Sequence, residues 1–385
     1  MGNFAMFTLY LGTGGVLLAL QIEHIDPANK VDNLALVAGI SSIFATVFNP
    51  VAGALSDRSG RRNPWILGGG IAALFTVALL GSVNSILLVT IGWCLTQAAM
   101  NVYQAALTSV VPDRIPVEQR GKASAAVGLG IPLGSTAGAL IGAAFSDSYR
   151  TGYLIFGALV AGAALVFTTF AREERMPAKA PLPLRKQLAA FTSALGNHDF
   201  RWAFFGRALL VLGYFAVLSY QLYILQDHTD LPAGLKPETG VAILTLVNSA
   251  GSVISTVLGG WLSDKYDRRK LFVAVSAMFA ACAMIFPALS TSWTAMLVFA
   301  ALNGLGFGCY MAVDTALVTM VLPRSEDAAR DMGVLNIANA GPQIVAPFVA
   351  GMVVKASGGY TALFFVGAAL SVLGALSVKP IRTVR

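Results

Sequence analysis

The sequence predicts an all-α polytopic membrane protein, with twelve transmembrane helices in two pseudo-symmetric six-helix bundles. Hydrophobic residues make up 56% of the 385 positions and charged residues only 12%, about half the ~25% of a soluble domain. A spanning helix needs roughly 20 apolar residues, so twelve spans use about 240 residues and leave the remainder for short loops. Matching residues also recur at a nearly constant offset in the two halves, which indicates a repeat.

Uninterrupted apolar stretches define the predicted spans. The first follows no basic segment and precedes no small-residue cleavage site, so we expect a retained span rather than a signal peptide. The first half contains predicted spans at 3–22, 34–55, 64–83, 86–111, 123–145 and 152–171. The second half contains predicted spans at 203–225, 241–262, 271–289, 294–322, 332–354 and 361–378.

The loops between these spans differ sharply in basic residues. One alternate set contains only Lys30, Arg150, Lys236 and Lys355, whereas the other contains 21 lysines and arginines. Basic loops stay on the cytoplasmic side, so we expect a multi-pass protein of the plasma (inner) membrane with both termini cytoplasmic. The net charge of +7 therefore sets orientation in the bilayer, and we expect no nucleic-acid partner.

A polar stretch at 172–202, with three prolines and mixed charges, separates the halves. It predicts a six-helix domain at 1–171, a cytoplasmic linker at 172–202 and a second six-helix domain at 203–385. Asp57 matches Asp264 at an offset of 207, and Pro132 matches Pro342 at an offset of 210. Near-equal offsets favour a duplication, and parallel six-helix repeats around a central site are a known transporter architecture.

The cysteines and histidines do not have the spacing of a metal site or of a catalytic nucleophile with its base. The cysteines Cys94, Cys282 and Cys309 lie inside apolar stretches without paired or metal-ligand spacing, which is typical of buried small side chains. The three histidines are scattered among loops, and no nucleophile has a plausible base. We therefore expect no metal, no cofactor and no enzyme activity.

One loop motif occurs twice. The sequence GALSDRSGRR occupies 53–62, after the second span, and GWLSDKYDRR occupies 260–269, after the eighth. Gly53 and Gly260 would let two helices approach closely, and Gly60 would permit a tight turn. Asp57 and Asp264 would accept from a helix N-terminus or pair with an arginine.

The first copy resembles the signature loop of the major facilitator superfamily, G-x-L-x-D-R-x-G-R-[RK], and the second is a degraded copy. The resemblance covers the whole chain, because span count, linker position and both loops fall where the family has them. It implies a latch that stabilises the outward-facing state and opens during alternating access. The residues concerned are Gly53, Asp57, Arg58, Gly60, Arg61, Arg62, Gly260, Asp264 and Arg268. The alternative is a plain basic loop that only sets topology.

Within that superfamily, the segments at 60–66, 313–317 and 330–336 resemble the sucrose and glycoside cation-symporter branch. Two departures from exporter patterns agree with this comparison. Cys94 stands where proton antiporters commonly carry an arginine, in R-x-x-Q, and the fifth span lacks the contiguous Gly-Pro of drug exporters.

Ionisable residues inside spans are costly in lipid and are functional candidates by default. Asp314 follows 43 uncharged positions, and either coupling or structural hydrogen bonding would explain it. Arg207 either extends its guanidinium back to water or forms a salt bridge to Asp314 or to a substrate. Glu23 and His24 are either a proton pair or a solvated helix end.

Uncharged polar residues form stripes at helical spacing in spans 4, 8 and 11. With tyrosine partners they would suit a neutral polyhydroxyl solute, although hydrogen bonds between helices would also explain them. The substrate-cavity candidates are Gln97, Asn101, Gln104, Tyr214, Gln221, Asn248, Asn336, Asn339 and Gln343. The close-packed glycines Gly304, Gly306 and Gly308 mark span 10 as a helix that could rock or gate.

The leading interpretation is a monomeric, proton-driven secondary transporter of a small polar organic solute, such as a sugar or glycoside. Its expected partners are the solute, protons or another coupling cation, and the lipid bilayer. An efflux antiporter for drugs or amphipathic metabolites is the first alternative. A membrane enzyme or a non-transporting sensor is the second.

Overall fold

A computed structural model describes residues 1–116, 119–171, 173, 195–321 and 328–382. Apart from an isolated bridge between Asp230 and Ser292, these ranges contain only helices, turns and connecting segments. Within them, eleven helices are long and apolar enough to cross a membrane, and a twelfth of 16 residues is equally apolar but shorter. The predicted all-α membrane fold is confirmed.

The twelve helices follow one another with short connections. The first six are α1 (Gly2–Ile25), α2 (Lys30–Ser59), α3 (Asn63–Leu80), α4 (Ile86–Thr108), α5 (Arg120–Ala144) and α6 (Tyr149–Phe170). The second six are α7 (His198–Ser219), α8 (Pro237–Tyr266), α9 (Arg269–Leu289), α10 (Trp293–Val321), α11 (Ala328–Ser357) and α12 (Thr361–Leu376). Short helical turns lie between them at Pro27–Asn29, Val110–Arg114, Ser146–Ser148 and Gln221–Asp227.

The seventh helix differs most from its predicted bounds. It begins at His198 rather than at 203, because the Asn197 side chain accepts the Phe200 N–H at 3.0 Å and caps the helix. It ends at Ser219, since Tyr220 leaves the helical region with φ −111° and ψ 13°. The predicted single span at 203–225 is therefore wrong: its last turns form a separate short helix.

The first helix contains a wide stretch. Residues Tyr10–Leu17 are π-helical, a conformation that is rare and often found near functional positions. Close packing against α6 accompanies it, since a Cβ on Gly12 would lie 2.0 Å from the Phe156 ring. A larger residue at this point of α1 would require the Phe156 ring to move.

The two halves repeat one packing pattern. In the first, α3 packs on α4 and α6, α1 packs on α5 and α6, and α2 packs on α4. In the second, α9 packs on α10 and α12, and α7 packs on α11 and α12. Adding six to a helix number in the first half gives its counterpart in the second, which supports the duplication predicted from the offsets.

The counterpart of the α2–α4 contact is made through glycine. A Cβ on Gly304 of α10 would lie 2.2 Å from the Asn248 carbonyl oxygen of α8, and one on Gly308 would lie 2.3 Å from the Ser252 oxygen. The close packing predicted for span 10 is confirmed. Contacts divide the chain into two compact units, Met1–Pro181 with Glu238–Ala242, and Leu182–Pro237 with Ile243–Arg385.

Candidate functional site

The loop between α2 and α3 holds a buried arginine among acceptors. Gly60 makes the turn with φ 64°, as predicted. The Arg62 side chain turns inward and is 3% exposed. It donates to the Ser56 hydroxyl and the Asp57 carboxylate at 2.5 Å each, and to Asp113 at 2.9 and 3.0 Å. Burial alone would lower the pKa of this guanidinium, but hydrogen bonds and charge from both aspartates outweigh burial and raise its pKa.

A carboxylate beyond the end of α6 extends this network. Glu173 accepts the backbone N–H groups of Arg62 and Asn63, the latter at 2.8 Å, and so caps the start of α3. It also accepts from Arg114, which follows α4, at 2.8 Å. Hydrogen bonds and ion pairs of Glu173 therefore connect the α2–α3 loop, the end of α4 and the end of α6. Sequence analysis missed Glu173 and Asp113, whose only signal was an acidic residue among the cations of a span end.

Other members of the first loop are placed differently from expectation. Arg58 and Arg61 are exposed, so burial distinguishes Arg62 from its neighbours. A Cβ on Gly53 would meet no atom of the described residues within 4 Å, and one on Gly260 would meet only Ala312, at 4.0 Å. The close helix approach predicted at these two glycines is therefore wrong for the described residues, which approach closely at Gly304 and Gly308 instead.

The second loop is a looser copy of the first. Asp267 adopts the left-handed conformation, with φ 50°, which aspartate tolerates better than most residues. It thus replaces Gly60 without changing the turn. Asp264 pairs with Arg269 at 3.0 Å, but its side chain is 67% exposed. Arg268, the predicted latch residue, is exposed at the start of α9, and the loop's arginine–aspartate pair uses Arg269.

The second half contains a buried ion pair between α7 and α10. Both Nε and Nη2 of Arg207 contact one oxygen of Asp314, at 2.6 and 2.5 Å. The residues are 6% and 2% exposed. The Tyr310 hydroxyl, one turn earlier on α10, also hydrogen-bonds to the carboxylate. Of the two interpretations of Arg207, the structure therefore contains the salt bridge and not an extension to water.

This pair lies well inside its helices. Arg207 lies nine residues from the start of α7, and Asp314 lies seven from the end of α10, or roughly 13 and 10 Å along the axes. Around it is an apolar cluster that includes Phe200, Leu210, Val313 and Leu317. Desolvating two charges is offset only by close pairing and extra hydrogen bonds, so each partner depends on the other.

Glu23, the third coupling candidate, has a different partner. It accepts from Lys30 at 3.0 Å, at the junction of α1 and α2. The neighbouring His24 ring lies 6.4 Å from the Tyr149 ring. The structure thus places Glu23 in a partly exposed ion pair at a helix end rather than beside a proton-exchanging histidine.

Polar candidates of the first half connect three helices. Asn101 of α4 accepts from Asn49 of α2 at 3.0 Å and donates to the Gln97 carbonyl at 2.8 Å. The Tyr10 hydroxyl, where the π-helical stretch of α1 begins, donates to the Gln104 side chain at 3.4 Å. The bond at Gln97 uses its backbone carbonyl, whereas the bond at Gln104 uses its side-chain oxygen.

Polar candidates of the second half lie beside an aromatic pair. Tyr214 donates to the Asn248 side chain at 3.1 Å and stacks on Phe307 with ring centroids 3.9 Å apart. Ser252 and Ser255 of the α8 stripe donate to the Gly304 carbonyl, which fits the structural interpretation of that stripe.

The remaining cavity candidates are less informative. Gln221 is buried in the short helix after α7. On α11, Gln343 donates to the Asn339 carbonyl at 3.0 Å, and the Asn336 side chain lies outside the described residues. Sequence analysis also missed Asn303 of α10, which is fully buried and has both amide atoms without a partner among the described residues. Its signal was an amide within an apolar span.

Comparison with known proteins gives consistent results. The sequence model of the Major Facilitator Superfamily matches residues 3–237 and 231–383. The MFS transporter asaE of Aspergillus flavus is 24% identical, over 91% of this chain and 78% of that protein. The multi-drug resistance efflux pump PmrA of Streptococcus pneumoniae is 25% identical, over 86% and 81%. A solved POT family transporter in complex with 5-aminolevulinic acid shares the fold, with a TM-score of 0.77 at 13% identity over 97% and 93% of the two chains.

The family match covers both halves of the chain, and each half has its own copy of the loop and of the packing pattern. A membrane enzyme, the alternative from another class, is not supported, because the relatives and the fold are those of transporters. The chain belongs to the Major Facilitator Superfamily of membrane transporters.

Proposed function

We propose that this chain is a secondary active transporter that couples a small polar organic solute to protons by alternating access. The Arg207–Asp314 pair is the observation that carries the proposal. A carboxylate paired with a guanidinium inside the bilayer is stable only while both partners are present. Any event that neutralises one partner, or any ligand that binds to it, therefore changes the free energy of the second half.

The proposed cycle uses that dependence. A proton from the outer side binds Asp314 and breaks the pair, which leaves Arg207 free to donate to an oxygen of the solute. After the halves rock to open inward, the solute leaves, Asp314 releases its proton to the inner side, and the pair re-forms. One proton and one solute cross in the same direction, which is symport.

The chemistry of the solute follows from the uncharged side chains. Gln97, Gln104 and Tyr10 in the first half offer both donors and acceptors, which suits the hydroxyl groups of a sugar or glycoside. The resemblance to the cation-symporter branch agrees with this class. We propose that it is the solute class of this chain.

Efflux of amphipathic compounds is the second candidate. The stacked rings of Tyr214 and Phe307, with Phe215 edge-on 5.2 Å from Tyr214, would suit a flat apolar ligand. The Streptococcus relative is named as a multi-drug resistance efflux pump, which also supports export. Cys94, at the position of the antiporter arginine, argues against it.

Transport in proteoliposomes separates the candidates. With the inside alkaline, we expect radiolabelled sucrose or an aryl glucoside to accumulate, and ethidium not to be extruded. Asp314→Asn should abolish accumulation but retain exchange of solute at equal pH, whereas the matched change at the exposed loop residue, Asp147→Asn, should leave both intact. Uptake that ignores the pH gradient would exclude proton coupling, and ethidium extrusion without sugar uptake would favour the second candidate.

The remaining assignments are proposals as well. We propose that Asp57 and Arg62 form the latch of the outward-facing state, and that the chain acts as a monomer. We also propose an inner-membrane location with both termini cytoplasmic. A C-terminal green fluorescent protein fusion should then fluoresce and a C-terminal alkaline phosphatase fusion should be inactive; the opposite pair of results would reverse the orientation.

A further inference from the structure

A cavity opens at the basic end of the second half, where α8 ends, α9 begins and α12 ends. Its volume is about 720 Å³, within the range of roughly 300–1,000 Å³ that ligand pockets usually have. All its lining residues belong to the second half, and none is among the transport-site candidates except Arg268. Apart from Arg268, the cavity therefore shares no residue with the transport-site candidates described above.

The rim of the cavity is cationic. Arg268, Lys270 and Lys379 line it, and Asp267 is the single carboxylate among the described residues of its lining. Arg268 and Lys379 are exposed, whereas Lys270 donates to the Ile381 carbonyl at 2.5 Å and is held at one edge. Three positive charges against one negative charge favour an anion.

The start of α9 adds to this field. Arg268 occupies the N-cap position of α9 without a capping side-chain hydrogen bond, so the first-turn N–H groups of that helix receive no cap from it. Such N–H groups, with the positive end of the helix dipole, attract anions. The first-turn N–H groups of α9 lie next to the cationic rim, and both features favour a negatively charged ligand.

One part of the cavity lining is apolar. It consists of Leu271, Ala274, Ala375, Leu376 and Val378, of which Leu271 and Leu376 are 51% and 44% exposed. Tyr266 at the rim is 60% exposed, and aromatic side chains are common at the level of lipid headgroups. A lining that combines cations with partly exposed apolar side chains matches a molecule with an anionic head and an acyl tail.

We propose that this cavity binds an anionic phospholipid, with its phosphate between Arg268 and Lys379 and an acyl chain along Leu271 and Leu376. Basic pockets between membrane helices hold anionic headgroups elsewhere. A soluble phosphate would use the rim but leave the apolar wall empty, so the wall favours the lipid. The site would link the end of α12 to the loop that joins α8 to α9.

Native mass spectrometry of the purified full chain tests the proposal. The protein is titrated with dioleoyl phosphatidylglycerol and, separately, with dioleoyl phosphatidylcholine, which has the same tails and no net charge. We expect phosphatidylglycerol to bind at least about tenfold more tightly. Each cation contributes about fivefold in affinity, so Arg268→Gln with Lys379→Gln should weaken phosphatidylglycerol binding by about 30-fold and leave phosphatidylcholine binding unchanged.

The matched control removes two cations from the same end of the same half. Arg201 and Lys265 are exposed and do not line the cavity, so Arg201→Gln with Lys265→Gln should retain the preference. Arg268→Lys with Lys379→Arg, which keeps both charges, should also retain it. Should the double neutral variant fail to run as a single species on gel filtration, Lys379→Gln alone is expected to weaken binding by about fivefold.

Four results would overturn the proposal. The wild type could bind both lipids equally, the Arg268/Lys379 variant could keep the preference, or the Arg201/Lys265 variant could lose it to the same extent. A fourth arm adds millimolar inorganic phosphate to the lipid-bound protein. Displacement of phosphatidylglycerol by phosphate alone would assign the cavity to a free anion and exclude the lipid.

Discussion

Arg207 and Asp314 form an ion pair in the apolar interior of the second half. Neither is in contact with enough water to be stable alone, because an unpaired ion in a low-dielectric interior has a desolvation penalty of several kcal/mol. Removal of one partner is therefore expected to be far more damaging than removal of both. This difference separates a true ion pair from two independent polar groups.

We predict that Asp314→Asn lowers the free energy of unfolding by about 3 kcal/mol, because it leaves the Arg207 charge buried without its partner. The double variant Arg207→Gln/Asp314→Asn should lose less than the single variant. Thermal unfolding in detergent measures both, with Asp147→Asn as the control that changes an exposed carboxylate. A double variant whose loss equals the sum of the single losses would show that the two residues act independently.

Asp26, just before α2, has a pKa that is lowered by its neighbours. The side chains of Asn29 and then Asn33 hydrogen-bond to Asp26 and lower its pKa. Because the folded state favours the ionised form, its contribution is present above the ordinary carboxylate pKa, near about 4, and is lost as pH falls through the lowered value.

We predict that Asn29→Ala with Asn33→Ala raises the pKa of Asp26 toward its ordinary value. Carboxyl carbon chemical shifts of selectively labelled aspartate, followed from pH 6 downward, measure it directly. An unchanged Asp26 titration in the double variant would mean that the two amides do not set the pKa.

At the residue scale, the sequence predicted some of the buried charged residues but did not settle their contacts. A charge within an apolar span is visible in the chain, so Arg207 and Asp314 could both be nominated. Their pairing could be given only as one alternative, because it depends on how α7 and α10 cross, 107 positions apart. Asp113 and Glu173 lie just outside predicted spans, where charges are ordinary, and only the fold shows that they converge on Arg62.

At the scale of helices, the contact between α8 and α10 depends on glycine. The backbone of α10 approaches that of α8 so closely at Gly304 that one added carbon would overlap a carbonyl oxygen. A backbone atom cannot move aside as a flexible side chain can, and small residues of this kind permit close helix contacts in membranes.

We predict that Gly304→Ala lowers the free energy of unfolding by about 1–3 kcal/mol, the usual range for overpacking. Gly162→Ala in α6 is the matched control, since a Cβ there would meet no atom of the described residues within 4 Å, and it should be neutral or stabilising by up to about 1 kcal/mol. Thermal unfolding of the two variants decides the question. Equal stability of both would remove the argument for an essential close approach.

Helix existence was predictable and helix detail was not. Twenty apolar residues are enough to indicate a span, whatever their neighbours. The π-helical stretch of α1 and the break at Tyr220 have no periodic signal in the sequence. Asp267 in the left-handed conformation is a third case: its sequence looked like a degraded motif, yet the turn is retained.

At the scale of the whole chain, the two copies of the loop are buried to different extents. Arg62 is buried among Asp57, Asp113 and Ser56, whereas the Asp264 partner of Arg269 is largely exposed. Exposed pairs contribute about 0–1 kcal/mol and buried ones considerably more when broken. The offsets predicted that both loops exist, but only burial distinguishes them.

We predict that Arg62→Gln reduces the transport rate at least about tenfold, since a barrier change of 1.4 kcal/mol has that effect, while Arg269→Gln changes it less than about twofold. Initial uptake rates in proteoliposomes at matched protein density measure both. The two variants control for each other, because they remove the same charge from equivalent positions. Equal losses would mean that the second loop is as important as the first.

The buried ion pair has an electrical consequence. With both partners charged, the site is neutral, and the membrane voltage exerts no net force on it. Protonation of Asp314 would leave the single positive charge of Arg207, on which the voltage acts with about 2.3 kcal/mol per 100 mV for a full crossing. If the solute is uncharged, each turnover then moves one net charge, so the cell's voltage would drive accumulation even where the two sides have the same pH.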